Sequence, residues 1–133
     1  MKYIPLIGRV IFSYIFLMGG IHHLTNLSQV AGYAASQGVP MATLAVAVSG
    51  IFALAGALSI ILGYKAKLGA WLIVLFLIPV TFMMHNFWTV TDPMQHMTQM
   101  MMFTKNITML GGALMITYFG AGPISIDSMS QSK

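Results

Sequence analysis

Four histidines are the residues of this chain best suited to proton transfer or metal binding near neutral pH. They are His22, His23, His85 and His96. His85 opens the segment His85-Asn86-Phe87-Trp88, which combines an imidazole, an amide and two aromatic rings. Such a group could bind a flat ring that bears carbonyl oxygens, so His85 is the candidate catalytic residue. An aromatic belt at a membrane edge would explain the two aromatic rings equally well, but not His85 and Asn86.

Methionines around His96 suggest a different kind of site. Thioether sulfur and imidazole together suit Cu(I). The candidate copper ligands are Met94, Met97, His22, His23 and His96. Methionines spaced by three and four residues are equally typical of an amphipathic helix at a membrane surface, where they fill irregular gaps. No metal site is therefore assigned from the sequence.

Three further polar residues lie in or at the edge of apolar stretches. Arg9 is about two turns inside the first stretch, where it either reaches headgroups or makes a contact inside the protein. Because these stretches contain no acidic residue, Arg9 must use carbonyls, lipid phosphate or a bound anion. Lys105 and Asn106 are potential partners of His85 or of a ligand. The predicted ligand-binding residues are Arg9, His85, Asn86, Trp88, Lys105 and Asn106.

The composition excludes several other chemistries. The chain has no cysteine, so thiol chemistry and a cysteine-ligated cluster are excluded, and any redox role needs a bound cofactor or a partner. Asp92 and Asp127 are the only acids, and no phosphate loop, Ser/His/Asp set or zinc spacing occurs, so hydrolase chemistry has no support. The six basic residues are scattered, which argues against nucleic-acid binding. Whether the protein is an enzyme stays open.

The elements that must position these residues are apolar helices. The 133 residues are 58% hydrophobic and only 6% charged, too few charges to cover a soluble globule. A bilayer core about 30 Å thick needs roughly 20 apolar residues in a helix. We therefore predict an all-α fold, an integral membrane bundle of four transmembrane helices that forms a single domain over residues 1–133. The predicted helices cover residues 4–21, 41–62, 68–84 and 93–119.

The distribution of basic residues predicts the orientation of this bundle. Four crossings place five basic residues on one side and leave Lys105 alone on the other. The five are Lys2, Arg9, Lys65, Lys67 and Lys133. Because basic residues in short loops are retained in the cytoplasm, both termini should be cytoplasmic and all four histidines should lie on the outer side.

Local signals refine the predicted helices. A short interfacial helix over residues 28–37 should lie on the outer surface, with Ser28 as its N-cap and Gly38 at its end. Asp92 followed by proline predicts the start of the last helix. This helix either runs straight to Phe119 or, as we favour, bends near Lys105 after an interfacial segment. Pro79 should kink the third helix or leave free the carbonyl one turn earlier.

Small residues predict close helix packing in the second helix. Ser49, Ala53 and Ala57 recur every four positions, with Gly50 and Gly56 beside them. In lipid, small side chains let helix backbones approach and gain dispersion contacts. This face should pack inside the bundle or, as the second alternative, at a subunit interface.

Nearly the whole chain resembles the DoxX family of small four-helix bacterial membrane proteins. In the first half of the chain the resemblance rests on Gly8-Arg9, on Gly20-Ile21-His22-His23 followed by residues 33–40, and on residues 56–63 with the basic turn after them, Gly63-Tyr64-Lys65-Ala66-Lys67. In the second half it rests on His85-Asn86-Phe87-Trp88, Phe103-Thr104-Lys105-Asn106 and Leu110-Gly111-Gly112. It implies a multi-pass protein of the bacterial inner (plasma) membrane. It also implies a link to quinone-coupled oxidation and to membrane complexes that handle oxidative stress. Many relatives carry an acidic residue where this chain has Ala53.

Three functions follow as hypotheses. The first is a quinone-associated or lipid-associated subunit of a membrane redox system, with a pocket in which His85 exchanges a proton, the amides hold a carbonyl and Trp88 stacks. The second is a non-catalytic scaffold for a larger membrane complex. The third is outer-side copper binding. The expected partners are membrane lipid, possible quinone, and other membrane subunits or further copies of the chain.

Overall fold

The computed structural model describes residues 1–132, and all regular secondary structure in that range is helical. The helices are α1 (Ile4–Thr25), α2 (Leu27–Ser36), α3 (Ala42–Leu62), α4 (Ala66–Met84), α5 (Pro93–Phe119) and α6 (Ile126–Gln131), with a 3-10 turn at Phe87–Thr89. Helices α1, α3 and α4 are long and apolar enough to cross a membrane, which confirms the predicted all-α membrane fold class. Helix α5 has 27 residues but is less apolar, so a fourth crossing stays a prediction.

The long helices pack side by side in chain order. Helix α3 packs on α1 and α4, α4 packs on α3 and α5, and α2 packs on α3. The end of the bundle that carries the C-terminal ends of α1 and α4 is called the histidine end. The opposite end, with the α3–α4 turn and the end of α5, is called the terminal end.

Close approach of α1 and α3 depends on glycine. A Cβ atom built on Gly20 would lie 2.8 Å from the Leu54 backbone nitrogen and 2.9 Å from the Gly50 carbonyl oxygen. Ala53 and Ala57, one and two turns further along α3, are fully buried. The structure thus places the small-residue face of α3 inside the bundle, where backbone proximity supplies the dispersion contacts that lipid cannot.

Helices α3 and α4 form a tight antiparallel pair. A Cβ atom on Gly56 would lie 2.8 Å from the Gly69 carbonyl oxygen, so these backbones are also in contact. The turn between them takes left-handed conformations at Gly63 (φ 66°) and Lys65 (φ 50°). The core between the helices comprises Phe16, Ala53, Ala57, Ile60, Ala70, Ile73, Val74, Leu77 and Ala113.

One local prediction is wrong. Helix α2 begins at Leu27 rather than after an N-cap at Ser28, because Asn26 ends α1 and its side chain bonds back to His22. Helix α5 continues as α-helix through Lys105, and the bend expected there stays a prediction. The Thr98, Thr104 and Thr108 hydroxyls of α5 donate to carbonyls one turn earlier, a contact that often bends a helix.

Two other local expectations agree with the structure. The Asp92 carboxylate accepts hydrogen bonds from the backbone nitrogens of Met94 (2.9 Å) and Gln95 (3.0 Å), so it caps α5. Gly38 has φ 83° just after α2, the left-handed conformation that suits glycine at a helix end. Helix α4 is continuous through Pro79.

A segment that the sequence did not predict closes the terminal end. Residues 120–131, called the C-terminal cap, fold back across the α3–α4 turn. The Asp127 carboxylate accepts from the backbone nitrogens of Lys65 (2.8 Å) and Ala66 (3.0 Å), and its own backbone nitrogen donates to the Gly63 carbonyl (2.8 Å). Asp127 therefore caps the N-terminus of α4 from the far end of the chain, in a place where a negative charge also favours the helix dipole.

Removing the Asp127 carboxylate should loosen the α3–α4 turn. We expect Asp127→Ala to lower the free energy of unfolding by about 1–2 kcal/mol, because two amides at the helix start lose their acceptor. Hydrogen exchange at the amides of Lys65 and Ala66 should become faster. Asp92→Ala is the matched control, and it should accelerate exchange at Met94 and Gln95 instead. If the amides of residues 65 and 66 exchange as slowly in Asp127→Ala as in the wild type, the Asp127 carboxylate does not hold the turn.

Candidate ligand-binding site at the histidine end

A mainly apolar cavity of about 470 Å³ lies at the histidine end among α1, α2, α3 and α4. Its volume falls in the range of about 300–1,000 Å³ that is typical of small-molecule sites. The apolar walls include Val30, Val39, Val46, Pro79, Val80 and Met83. The polar lining residues are His22, His23, Gln29, Tyr33, Ser49 and His85. Three of the four histidines, carried by two helices, therefore share one cavity.

The tautomer of His23 follows from its hydrogen bonds. His23 Nδ1 lies 3.0 Å from Ser49 Oγ, and the Ser49 hydroxyl donates its single proton to the Val46 carbonyl (2.8 Å). Ser49 Oγ must therefore accept from His23, so Nδ1 carries the proton. In the neutral ring Nε2 is then left as an acceptor.

His22 takes the opposite tautomer. Its Nδ1 lies 3.1 Å from Asn26 Nδ2, an amide nitrogen that can only donate. His22 Nδ1 is therefore the acceptor, and Nε2 of the neutral ring carries the proton. His22 and His23, which are neighbours on α1, thus leave one Nε2–H donor and one Nε2 acceptor that these hydrogen bonds do not use.

His85 ends α4 and is held by α5. Its Nδ1 lies 2.8 Å from Gln99 Oε1, a carbonyl oxygen that accepts, so Nδ1 is protonated and Nε2 is an acceptor in the neutral ring. The three histidines together offer one Nε2–H donor and two Nε2 acceptors. This set can hydrogen-bond either a carbonyl or a hydroxyl group of a ligand.

The other residues of the predicted pocket lie elsewhere. Asn86 and Trp88 do not line the cavity, because the 3-10 turn that follows His85 carries Trp88 onto α5. There the Trp88 ring contacts Phe103 edge to face, with 5.9 Å between the ring centroids. The Asn86 carbonyl accepts from the Thr89 hydroxyl within the turn. Although Asn86 and Trp88 are close to His85 in sequence, they therefore do not lie with it at the cavity.

Lys105 and Asn106 also lie outside the cavity. Lys105 is exposed, and its ammonium lies 3.3 Å from the Met102 sulfur. Asn106 is buried on the inward face of α5. Of the residues predicted to form one pocket with His85, the structure places none at the cavity.

Arg9 lies at the terminal end, about 21 Å along α1 from His23. It is only 4% exposed, and its Nη2 donates to the Ile124 carbonyl at 2.7 Å. The prediction that it uses a carbonyl agrees with this contact. Nε and Nη1 are buried without a hydrogen-bond partner within residues 1–132. Arg9 therefore holds the C-terminal cap and takes no part in the histidine cavity.

The candidate copper ligands are split between two places. His22 and His23 line the cavity, whereas the His96 ring packs edge to face on Phe87 and its Nδ1 contacts the Val90 carbonyl. Met94 and Met97 are 80% and 60% exposed. Within the part of the chain that the structure describes, no three His, Asp or Glu side chains are close enough to hold a metal ion.

Several site residues were missed from the sequence. Ser49 was assigned only a packing role, and Gln29, Tyr33 and Gln99 were not considered. A signal for Gln99 does exist, because Gln99, Asn106 and Ala113 recur every seven residues, which marks one face of α5. Asn106 and Ala113 are both buried on that face.

Comparison with known proteins gives two relatives from Escherichia coli (strain K12). The inner membrane protein YphA is 28% identical over 122 residues, which cover 92% of this chain and 86% of that protein. The inner membrane protein YqjF is 25% identical over 128 residues, which cover 96% of this chain and 92% of that protein. No solved structure gives a significant match.

The family comparison covers the cavity. The DoxX family model matches residues 4–86, more than half of the chain, and this range contains every residue that lines the cavity. The match confirms the family that the sequence motifs suggested. The chain therefore belongs to the DoxX family and is a DoxX-like inner-membrane protein.

Proposed function

We propose that the cavity at the histidine end binds a quinone, and that the protein is a quinone-associated subunit of a membrane redox system. One observation carries the proposal: three histidines with complementary donor and acceptor nitrogens line a mainly apolar cavity in an inner-membrane protein. The orientation predicted from the basic residues would place this cavity on the outer side.

A quinone uses both properties of the cavity. Its ring and isoprenoid tail match the apolar walls that Val46, Val80 and Met83 provide. The oxidised form has only acceptor oxygens, which suit the His22 Nε2–H donor. The reduced form has two hydroxyl donors, which suit the Nε2 acceptors of His23 and His85. A lipid acyl chain alone would use none of these nitrogens.

The histidines also suit the protons of the quinone couple. Oxidation of a quinol releases two protons and two electrons, and imidazole takes up protons near neutral pH. His85 is the first candidate because Gln99 fixes its ring and leaves Nε2 as the acceptor. The chain has no cysteine, so the electrons would pass to a partner subunit or its cofactor.

The test is to purify the protein from native membranes, extract the bound molecules and identify quinone, lipid and metal by mass analysis. Quinone should accompany the wild type. His85→Ala should lower its retention about tenfold or more, since a buried hydrogen bond to a ligand contributes about 1–2 kcal/mol. His96→Ala is the matched control, because His96 does not line the cavity, and it should retain quinone as the wild type does.

Other outcomes would reject the proposal. Wild-type protein without quinone, or equal retention in all three proteins, would overturn it. Stable partner subunits together with an empty cavity would favour the scaffold function. Copper that is lost when Met94 and Met97 are replaced would favour outer-side copper binding.

A further inference from the structure

A second cavity lies at the terminal end, far from the histidines. It has a volume of about 550 Å³ and lies between the start of α4, the end of α5 and the C-terminal cap. Its basic lining residues are Lys65 and Lys67, and its only acidic lining residue is Asp127. We propose that this cavity binds the phosphate headgroup of an anionic phospholipid. The inference goes beyond quinone binding and uses no residue of the histidine-end cavity.

The charge balance of this cavity favours an anion. Both carboxylate oxygens of Asp127 already accept from backbone nitrogens, those of Lys65 and Ala66. The buried Arg9 guanidinium also attracts Asp127 electrostatically. Neither lysine ammonium forms an ion pair with a carboxylate within residues 1–132. The one carboxylate that lines the cavity is thus already engaged, and the Lys65 and Lys67 ammonium groups are left to bind a phosphate.

The serine hydroxyl groups of the cavity wall donate their protons inside the C-terminal cap. Ser125 Oγ donates to the Gly122 carbonyl and Ser128 Oγ donates to the Ser125 carbonyl. Ser130 Oγ donates to the Asp127 carbonyl. Because these protons are already donated within the C-terminal cap, a phosphate would bind to the lysine ammonium groups rather than to the serine hydroxyls.

Backbone geometry keeps the Lys67 side chain against the cavity wall. A Cβ atom on Gly120 would lie 3.3 Å from Lys67 Cε, so the lysine stem passes directly over this glycine. Gly120 also has φ 76°, a conformation that other residues rarely adopt. The Lys65 ammonium lies 5.6 Å from the centroid of the Tyr64 ring. Lys67 is therefore the principal phosphate ligand and Lys65 the second.

The apolar border of the cavity favours a lipid over a soluble anion. Leu68 and Phe119 line the same cavity, and both are exposed. They belong to the ends of α4 and α5, where exposed apolar side chains meet acyl chains. A headgroup at the lysines would thus have its acyl chains beside these two residues. Basic residues at the membrane surface attract anionic lipid in the same way.

The experiment uses the full chain in nanodiscs of phosphatidylcholine, with and without phosphatidylglycerol, and counts bound lipid by native mass spectrometry. The wild type should retain phosphatidylglycerol in preference to phosphatidylcholine. The double variant Lys65→Gln and Lys67→Gln should lose that preference about tenfold. Lys2→Gln is the matched control, because it removes one charge at the same end outside the cavity, and it should behave as the wild type.

Two results would overturn the inference. One is equal phosphatidylglycerol retention in the wild type and the double variant, with unchanged circular dichroism. The other is that inorganic phosphate stabilises the detergent-solubilised protein against unfolding while the protein shows no preference for phosphatidylglycerol. That result would assign the site to a soluble anion. Quinone retention in the same samples reports on the histidine-end cavity separately, so failure of either proposal is distinguishable.

Discussion

Ala45→Phe should lower quinone affinity by about 100-fold, the equivalent of roughly 2.7 kcal/mol, because the new ring would occupy the cavity. Ala45 lies on α3 and lines the cavity directly. Its side chain is the smallest on that wall that can be enlarged without removing a polar group. The substitution therefore tests the location of the ligand without changing the hydrogen-bonding residues.

Val48→Phe is the matched control for this substitution. Val48 is on the same helix, is 41% exposed and does not line the cavity. The quinone affinity of Val48→Phe should stay within about twofold of the wild type, since an added apolar group at a lipid-facing position leaves the cavity unchanged. The measurement is an equilibrium titration in detergent with a short-chain benzoquinone and its hydroquinone. If Ala45→Phe binds as well as Val48→Phe, the ligand does not occupy this cavity.

Gly20→Ala should destabilise the bundle by about 1–3 kcal/mol relative to Gly19→Ala, because the added methyl group overpacks the contact between α1 and α3. At Gly20 the Cβ atom would lie 2.8 Å and 2.9 Å from backbone atoms of Leu54 and Gly50, which cannot move aside as a flexible side chain could. At Gly19 the Cβ atom would have nothing within 4 Å. The intrinsic gain in helix propensity is the same for both substitutions and cancels in the comparison.

Reversible unfolding in mixed micelles would measure this difference. Separation of α1 from α3 should also weaken the His23–Ser49 hydrogen bond, because His23 lies about one turn beyond Gly20 on α1 and Ser49 is next to Gly50 on α3. Gly20→Ala should therefore reduce quinone binding as well as stability, whereas Gly19→Ala should leave quinone binding unchanged and should not lower the stability. Equal stability of the two variants would mean that the helices adjust to a methyl group at no cost.

His85, the principal residue of the predicted site, lines the cavity, whereas Asn86, Trp88, Lys105 and Asn106 do not. His85 was identified because an imidazole followed by an amide is unusual at the end of an apolar helix, and it does line the cavity. Trp88 was grouped with it on adjacency alone, but the turn after α4 directs that ring to Phe103. His22 and His23 were predicted on the same outer side as His85 and were proposed as candidate copper ligands, and they line the cavity together with His85.

The sequence by itself determined the properties that depend on local chemistry. Hydropathy over about 20 residues identifies a helix that can cross a membrane, because the bilayer sets that length. The Asp92 cap and the turn at Gly63 are likewise visible in the sequence, since each involves neighbours within a few residues. The family could be identified for the same reason, from short motifs in a fixed order.

Only the tertiary structure decided which polar residues meet. Asp127 caps α4 across 62 residues of sequence, and Arg9 bonds Ile124 across 115. His23 reaches Ser49 because glycines let two helix backbones approach closely at that level, and His96 is excluded because its helix carries it to Phe87. Contacts of this kind depend on how helices pack against one another, and that packing is set by interlocking side chains rather than by any local pattern.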